Sequence, residues 1–402
     1  MWGPVPLGLE AASLSSKVPP ASTMASSSRF LILLRRSALV GLGALVMLET
    51  VPRLVDLPRL NMEALNPPYV DSDEDLAFEP HANLVLVPKA GYENVNDQGK
   101  RVVHDADGFR GEGLVRPKPE GVFRIARLGG SSTYGTGPSS NESTWPAVLE
   151  RSLADALPGR RIEVLNGGVP TWTTTESLIS LQSRVLPYEP DLVLVYHGMN
   201  DASAALWPEP RPDGSHFRSV WPVLRKSPVE PILERSVTYL VWRRYFTDYL
   251  WRRVDGNYKA IRNYDPDYVD PYGDGPLPAV GFDTFQRNLE SMVAVARAHG
   301  ARIAFVTQAV WSEDPNGTDF WSGKNRLRAL EGLESRLRAV ATELAVPVID
   351  AAPALLAEER SVDGGEAGAR IFADDVHLTD RGAALLAALV ATELEAQGLL
   401  ED

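Results

Sequence analysis

The second part of the chain shows a regular alternation of two hydrophobic patterns. Short apolar runs predict five strands, at 122–128, 162–165, 191–196, 302–307 and 346–349. Apolar residues at helical spacing predict helices at 145–157, 174–185, 283–299, 325–344 and 379–397, the last with Thr379 as its N-cap. Because strand and helix alternate, the pattern predicts an α/β fold, a three-layer α/β/α sandwich around a parallel five-stranded sheet. The binding crevice of such a sheet lies at the carboxyl ends of its strands.

An apolar run near the N-terminus predicts a targeting segment. Residues 37–48 are apolar and follow Arg35 and Arg36, an arrangement typical of a signal sequence or signal anchor. The run is shorter than the roughly 20 residues of an unstrained span, but it reaches that length when extended to Val55. We therefore expect residues 1–56 to anchor the chain in the membrane, with its body extracytoplasmic, in the periplasm or at the cell surface. A cleaved signal, a twin-arginine signal and a short buried helix stay open as alternatives.

Two segments interrupt the regular pattern. Residues 57–121 are rich in Pro, Asp, Asn and Gly, which predicts an irregular, partly β preface. The domain that follows, 122–402, carries an insertion at about 202–280, which includes a helical segment, 236–254, that mixes aromatic residues with four arginines. This segment is expected to lie on a membrane surface, to cap the site, or to pack on the domain with its arginines in solvent.

Composition narrows the class of protein further. The 402 residues are 44% hydrophobic and 23% charged, which is enough apolar surface for a folded core. The net charge of −13 argues against a nucleic-acid partner, since phosphate binding needs clustered Lys and Arg. The lack of Cys excludes disulfides, thiolate metal sites and a cysteine nucleophile. The six His residues form no His-Glu-x-x-His motif, so we expect neither a metal nor another cofactor.

Glycine and polar residues cluster where the predicted strands end. The segments are 129–131 (GGS) after the first strand, 166–172 (NGGVPTW) after the second, 197–201 (HGMND) after the third, and 374–379 (DDVHLT) before the last helix. Taken singly, each has the composition of an ordinary turn. Because the carboxyl ends of parallel strands meet at one edge of a sheet, we expect these segments to converge there.

A serine at such an edge acts as a nucleophile when a base lies beside it. Ser131 is the candidate and His377 the base, because a serine hydroxyl is a poor nucleophile at neutral pH until an imidazole takes its proton. Asp374 precedes His377 closely enough to hold the same imidazole if the loop turns back. Ser132 is the competing nucleophile, and His197 is expected to be a structural or pocket-lining residue rather than a second base.

Four motifs in this order resemble the SGNH hydrolases, the GDSL-type esterases and lipases. The segment 105–111 (DADGFRG) also resembles the one that precedes the hydrolase domain in membrane-associated bacterial members of the family. The motifs are Gly129-Gly130-Ser131 in place of Gly-Asp-Ser, a glycine at Gly168, the complete Gly-x-Asn-Asp of 198–201, and the Asp-x-x-His of 374–377. The resemblance covers about 122–399, apart from the insertion. The one departure is Gly130, where the family has Asp. This substitution is expected to change how the loop is held in place rather than the catalytic residues. One motif alone is weak, but four in the family's order at strand ends are a strong signal.

The resemblance implies an SGNH, flavodoxin-like fold and a serine esterase that hydrolyses acyl or acetyl esters. Its catalytic residues would be Ser131, Asp374 and His377. Its oxyanion hole would combine the backbone amides of Ser131 and Gly168 with the side-chain amide of Asn200. No cofactor or metal is implied, and the expected partners are a small-molecule, glycan or lipid ester and the membrane. An O-acyltransferase or acetyltransferase acting on a cell-envelope glycan and a non-catalytic extracytoplasmic binding domain stay open as alternatives.

Overall fold

The computed structural model shows a sheet with helices on both faces, an N-terminal helix and two hairpins. The described residues are 21–54, 77–95, 101–207, 210–218, 233, 235–242, 272–313, 315–316, 323–362 and 369–401. The strands are β1 (Phe78–His81), β2 (Val85–Pro88), β3 (Glu93–Val95), β4 (Arg101–Val103), β5 (Val122–Gly129), β6 (Arg161–Gly168), β7 (Leu192–Tyr196), β8 (Arg302–Val306) and β9 (Val348–Ile349). The helices are α1 (Ala21–Leu54), α2 (Ser131–Tyr134), α3 (Trp145–Ala156), α4 (Thr174–Ser180), α5 (Met199–Leu206), α6 (Ser215–Arg218), α7 (Val237–Trp242), α8 (Ala279–Ala298), α9 (Lys324–Glu343), α10 (Ala352–Ser361) and α11 (Asp380–Ala396).

The central sheet has the strand order β6-β5-β7-β8-β9, and every pairing in it is parallel. This confirms the predicted three-layer α/β/α sandwich with a parallel five-stranded sheet. The chain passes from β5 to β6 on one side and then to β7 on the other side of β5. The loops after β5 and β7 therefore flank a topological switch point, the place where α/β sheets bind ligands.

The strands are buried on both faces because helices cover both. Neighbouring residues of a strand point to opposite faces, so Val193 of β7 packs in one core with Leu289 of α8, while Leu194 packs in the other with Leu386 of α11. The nearly continuous apolar run of β7, LVLVY, is typical of a strand buried on both faces. Each fully buried aliphatic side chain contributes about 1.5–3 kcal/mol relative to an exposed one, which makes these two cores the main stabilising feature of the fold.

Two helices that carry or border the polar segments begin with side-chain caps. Thr379 accepts a hydrogen bond from the backbone N–H of Gly382 at 3.1 Å and so caps α11, as predicted. Thr173 and Glu176 form a reciprocal capping box at the start of α4, in which the Glu176 carboxylate accepts the Thr173 backbone N–H at 2.9 Å. These caps fix where the loops after β6 and before α11 end.

Some helix boundaries differ from the predicted ones. The predicted helix at 174–185 is α-helical only to Ser180 and continues as a π turn (Leu181–Val185) and a 3₁₀ turn (Leu186–Tyr188). Pro187 has no N–H with which to extend an α-helical ladder. The pattern does not predict α2, α5 and α10, because four to ten residues are too few to show a helical period clearly.

The predicted preface contains two antiparallel hairpins, β1-β2 and β3-β4. Leu84 and Leu86 of the first hairpin pack against Val169 and Trp172, which follow β6. The Trp172 Nε1–H also donates to the carbonyl oxygen of Leu86 at 3.1 Å. The first hairpin therefore packs on the loop that follows β6, at the carboxyl end of that strand. For this segment the sequence predicts only a partly β character.

Helix α1 contains a segment long and apolar enough to cross a membrane. This segment, Phe30–Thr50, has 21 residues and a mean hydropathy of 1.9, and the apolar side chains that the structure describes in it are exposed. It includes the predicted run at 37–48, and its properties suit either an anchor or a signal sequence. Of the predicted insertion helix at 236–254, α7 is described, whereas residues 243–254 lie outside the described residues.

Candidate active site

Ser131 lies in a tight turn at the carboxyl end of β5. Gly129, the last residue of the strand, has no room for a side chain, since a Cβ there would lie 2.7 Å from Thr133 Cβ and 2.8 Å from the carbonyl oxygen of Tyr196. The chain turns at Gly130, and α2 begins at Ser131. The backbone N–H of Ser131 thus lies in a first helical turn, where N–H groups have no intrahelical acceptor.

A continuous chain of hydrogen bonds joins Ser131 to two side chains of the loop before α11. His377 Nε2 lies 2.7 Å from Ser131 Oγ, and His377 Nδ1 lies 2.5 Å from Asp374 Oδ2. The other oxygen, Asp374 Oδ1, accepts the backbone N–H groups of Val376 at 2.9 Å and His377 at 2.8 Å. These two bonds turn the loop back on itself, which is why a carboxylate three residues upstream reaches the imidazole of His377.

The surroundings of Asp374 favour its ionised form. Partial burial raises the pKa of this carboxyl, but the hydrogen bond and charge of the His377 side chain, together with the two backbone N–H groups, outweigh burial and hold the pKa below its usual value. An ionised Asp374 accepts a hydrogen bond from His377 Nδ1–H and leaves the Nε2 lone pair directed at Ser131. This tautomer follows from the hydrogen-bond network.

Asn200 lies beside the Ser131 turn, in the first turn of α5. Its Nδ2 donates to the carbonyl oxygen of Trp172 at 2.9 Å, and a primary amide has a second N–H to offer. A Cβ at Gly130 would lie 2.6 Å from Asn200 Nδ2, so the amide packs directly on the backbone that precedes Ser131. The structure therefore brings an N–H donor of Asn200 to the turn that holds the serine.

Gly168 ends β6 directly beneath α2. A Cβ at this position would lie 2.3 Å from the backbone nitrogen of Tyr134 and 2.7 Å from Thr133 Cβ, so the close packing requires glycine. The Gly168 N–H donates to Asn166 Oδ1 at 3.1 Å. It would have to leave Asn166 in order to bind a ligand, and in this respect it differs from the other two predicted donors.

Ser132 and Gln308 connect the elements of the site. Ser132 Oγ donates to the carbonyl oxygen of Val376 at 3.0 Å, so this serine is turned toward the histidine loop. Gln308, just after β8, places Nε2 3.4 Å from Ser132 Oγ, and its Oε1 accepts the Met199 backbone N–H at 2.7 Å. No sequence motif marks Gln308, because its only local signal is a polar residue shortly after a strand.

His197 and Asp201 lie on the far side of these loops, buried between α4 and α5. His197 Nε2 lies 2.8 Å from Ser177 Oγ, and His197 Nδ1 lies 3.4 Å from Asp201 Oδ2. Asp201 also accepts the backbone N–H of Thr174 at 3.0 Å and its hydroxyl at 2.6 Å. These bonds fasten α4 to α5. Within the part of the chain that the structure describes, no group of three or more His, Cys, Asp or Glu side chains is placed to hold a metal ion.

A hydroxyl, an imidazole and a carboxylate bonded in series at the edge of a parallel α/β sheet are the arrangement found in serine hydrolases. The sequence matches the model of the GDSL-like lipase/acylhydrolase family over residues 128–385, which is more than half of the chain. The chain therefore belongs to this family and is an SGNH serine hydrolase that acts on esters.

The fold is also similar to solved structures. A lipase/acylhydrolase from Enterococcus faecalis is 19% identical with a TM-score of 0.40, and the match covers 68% of this chain and 96% of that one. An α/β hydrolase from the metagenome of Lake Arreo, Spain, is 17% identical with a TM-score of 0.40, and the match covers 70% of this chain and 97% of that one. A catalytic mutant of an acetylxylan esterase from Geobacillus stearothermophilus is 16% identical with a TM-score of 0.40, and the match covers 68% of this chain and 94% of that one. No curated protein matches the chain.

Proposed function

We propose that the protein is a membrane-anchored serine esterase in which Ser131 is the nucleophile, His377 the general base and Asp374 the residue that orients the base. One observation carries the proposal, namely the unbroken series of contacts from Ser131 Oγ to His377 Nε2 at 2.7 Å and from His377 Nδ1 to Asp374 Oδ2 at 2.5 Å. A nucleophile within hydrogen-bond distance of a base, and a third group that holds the base, are what covalent catalysis by serine requires.

Acylation of the enzyme would begin when His377 Nε2 takes the proton of Ser131 Oγ while Oγ attacks the carbonyl carbon of the ester. The tetrahedral intermediate then collapses, the bond to the alcohol oxygen breaks, and the alcohol leaves with the proton from His377. The ionised Asp374 stabilises the imidazolium that exists between these two proton transfers.

Hydrolysis of the acyl-enzyme would repeat the sequence with water. His377 Nε2 takes a proton from a water molecule, whose oxygen attacks the acyl carbon, and the bond to Ser131 Oγ breaks as His377 returns the proton to Oγ. The carboxylic acid leaves. The side chains of His377 and Asp374 are 21% and 53% exposed, so water reaches the pair directly.

The developing negative charge on the carbonyl oxygen needs N–H donors that are already in place. We assign this role to the backbone N–H of Ser131 and the second N–H of Asn200, with the Gly168 amide as a third donor once it leaves Asn166. Loss of one such donor typically costs about 3 kcal/mol of transition-state stabilisation. The contact of Asn200 with Trp172 supports the assignment, because it holds the amide in one orientation before substrate arrives.

Acyl transfer to a hydroxyl of a cell-envelope glycan would use the same acyl-enzyme, with the sugar in place of water. The exposure of the His377 and Asp374 side chains is compatible with water as the acceptor, which is the reaction that we propose. The fraction of the acyl group recovered as free acid in the presence of a glycan acceptor distinguishes the two reactions. A non-catalytic binding domain, the third alternative, would turn over no ester at all.

We further propose that α1 anchors the protein and that the domain after it is extracytoplasmic. Arg35 and Arg36 precede the most apolar part of the span, at 37–48, and positive residues favour the cytoplasmic side. Fractionation of a bacterial host and protease treatment of its spheroplasts test the orientation. We expect a membrane-bound product whose domain is cleaved from outside, and a soluble product protected inside the cell would contradict the proposal.

A fluorophosphonate probe followed by peptide mapping tests the assignment of the nucleophile. We expect the label on Ser131, its loss in Ser131→Ala and a strong reduction in His377→Ala, because the probe reacts only with an activated hydroxyl. Ser132→Ala is the matched control and should keep its label. A label on Ser132, or native esterase activity in Ser131→Ala, would show that the assignment is wrong.

A further inference from the structure

The segment 105–111 (DADGFRG) forms a tight loop shortly after β4. Asp105 Oδ1 accepts the backbone N–H of Phe109 at 2.8 Å, which closes the turn. Gly108 has φ +78°, and a Cβ there would lie 2.4 Å from a backbone carbonyl oxygen of β2, so the turn requires glycine. Phe109 is buried in the core beside the sheet. The loop therefore fixes the point from which the next side chain, that of Arg110, leaves the backbone.

Arg110 extends from this loop to the turn that carries Ser131. The side chain is buried, its Nη1 donates to the carbonyl oxygen of Gly135 at 2.6 Å, and its Nε donates to Asn141 Oδ1 at 3.0 Å. The guanidinium carbon lies 4.8 Å from the centre of the Tyr134 ring, the distance of a cation–π contact. A buried guanidinium keeps its charge and needs such partners. These contacts hold it in one position against the end of α2.

The peptide group that Arg110 binds is the same one that binds the backbone of Ser131. The carbonyl oxygen of Gly135 and the N–H of Thr136 belong to one planar peptide unit. That N–H donates to the carbonyl oxygen of Ser131 at 3.1 Å, and the N–H of Gly135 donates to the same oxygen at 2.8 Å. A charged donor on the oxygen of a peptide group also strengthens the bond that its N–H makes. Arg110 is therefore one peptide unit away from the serine.

The turn around Ser131 needs support from outside because α2 has only four residues. So short a helix makes few internal hydrogen bonds and is not stable by itself. Gly135, which ends it, has φ +98°, and a Cβ there would lie 2.5 Å from Thr144 Cγ2. Glycine has more backbone conformations open to it than any other residue. The orientation of the peptide group after it therefore depends on a partner for its oxygen, and Arg110 is that partner.

We infer that Arg110 is a positioning residue of the esterase, which fixes the Gly135–Thr136 peptide group and through it the orientation in which Ser131 Oγ lies 2.7 Å from His377 Nε2. This inference rests on the proposed function, since it adds a residue to the same site. Arg110 is buried and acts through the peptide group rather than on the ester. Its effect on the rate is geometric, and a displacement of reacting atoms by about 1 Å can cost a hundredfold.

Arg110→Met in the full chain tests the inference by steady-state kinetics on p-nitrophenyl acetate. Methionine keeps an unbranched apolar side chain beside Tyr134 but donates no hydrogen bond. We expect kcat to fall roughly tenfold with KM nearly unchanged, because a hydrogen bond from a charged group shifts a two-state equilibrium by that order. Arg110→Lys keeps a charged donor for the Gly135 carbonyl oxygen, and its kcat should lie between those of the native chain and Arg110→Met. A kcat as low as that of Arg110→Met would contradict the role of this bond.

Arg184→Met is the matched control, because Arg184 makes the same kinds of contact with the same loop. Its Nη2 donates to the carbonyl oxygen of Asp107 at 2.9 Å, and its guanidinium carbon lies 4.6 Å from the centre of the Phe109 ring. These partners belong to the loop, whereas Arg110 binds the Gly135 peptide group. We expect both methionine variants to lose stability in urea, and Arg184→Met to keep the native kcat. Equal losses of kcat in the two variants would show that the arginines only stabilise the loop, which would overturn the inference.

Arg110→Gln is a second variant for the case in which Arg110→Met does not fold. Its amide offers polar atoms to the buried surroundings, but the side chain is too short to reach the Gly135 carbonyl oxygen as arginine does. A lowered kcat at native KM, in a variant whose circular dichroism is native, would support the inference. A native kcat would overturn it.

Failure of the inference and failure of the proposed function give different results. If the native chain hydrolyses p-nitrophenyl acetate, Ser131→Ala does not, and Arg110→Met keeps the native kcat, the positioning role is wrong while the esterase function stands. If the native chain hydrolyses no p-nitrophenyl ester and takes no fluorophosphonate label, the proposed function itself is contradicted.

Discussion

The side-chain amide of Asn200 lies against the backbone of Gly130, so closely that a Cβ at position 130 would come within 2.6 Å of Asn200 Nδ2. This contact gives a physical reason for the glycine at the second position of a motif that resembles Gly-Asp-Ser. The amide takes the room that the Cβ of an aspartate would need. Asn200 cannot move away without losing its bond to the carbonyl oxygen of Trp172 at 2.9 Å.

Gly130→Ala should therefore lower kcat although it adds only one methyl group. The methyl displaces the Asn200 amide from the Ser131 turn, and loss of an oxyanion donor lowers kcat by roughly a hundredfold. Steady-state kinetics on p-nitrophenyl acetate measure the effect. Gly113→Ala is the control, because its new Cβ would lie 3.4 Å from Asp105 Cβ, an ordinary van der Waals contact. This variant should leave kcat unchanged. An unchanged kcat in Gly130→Ala would contradict this role of the contact.

Asn200→Ala should lower kcat roughly a hundredfold and leave KM nearly unchanged, since the amide acts on a charge present mainly in the transition state. Asn200→Asp keeps the shape of the side chain but replaces its N–H donors with a second oxygen, and its loss should be at least as large. A rise in KM at native kcat would mark Asn200 instead as a residue that positions the bound ester.

Asp374→Asn should reduce kcat by a factor on the order of 10³–10⁴, because an amide at this position favours the wrong tautomer of His377. Asp375→Asn is a matched control of identical chemistry one residue away, and it should keep kcat within about twofold, since Asp374 and not Asp375 holds His377 Nδ1. Measurement of kcat for both variants near pH 8 decides the question. Equal losses would show that the loop as a whole, and not the Asp374 carboxylate, supports the base.

Stability should fall in mild acid because of His104, which lies under α2. Burial lowers the pKa of His104 from 6.5 to about 4, with a smaller opposing effect of its hydrogen bond to the Lys89 carbonyl oxygen. Between these pKa values the unfolded chain binds the proton and the folded chain does not, so stability rises with pH through this window and is constant above it. From pH 7 to pH 5 the loss due to His104 should be about 2 kcal/mol.

Urea unfolding of the native chain and of His104→Gln at the two pH values measures this contribution. The other titrating groups are common to both proteins, so they cancel in the comparison. Gln keeps polar atoms for the Lys89 carbonyl and for the Tyr134 hydroxyl, which lies 2.8 Å from His104 Nε2. We expect the native chain to lose more stability than the variant. Equal losses of stability in the native chain and in His104→Gln would show that His104 does not account for the acid sensitivity.

Much of the fold could be predicted because its signals are local. The run LVLVY of β7 shows a strand buried on both faces, and Thr379 marks the start of α11. The predicted helix at 174–185 extends past the true end of α4 at Ser180, because apolar spacing persists through the π turn. The domain boundaries at 57 and 122 remain predictions.

The sequence by itself determined the order of strands and helices, the parallel sheet and the edge at which the polar motifs meet. Each of these follows from short-range periodicity and from the rule that parallel strands end together. Only the tertiary structure decided how the motifs are arranged: that Ser131 faces His377 while Ser132 binds the histidine loop, and that the Gly168 amide is engaged by Asn166. These outcomes depend on contacts between residues far apart in the chain, and no local pattern encodes them.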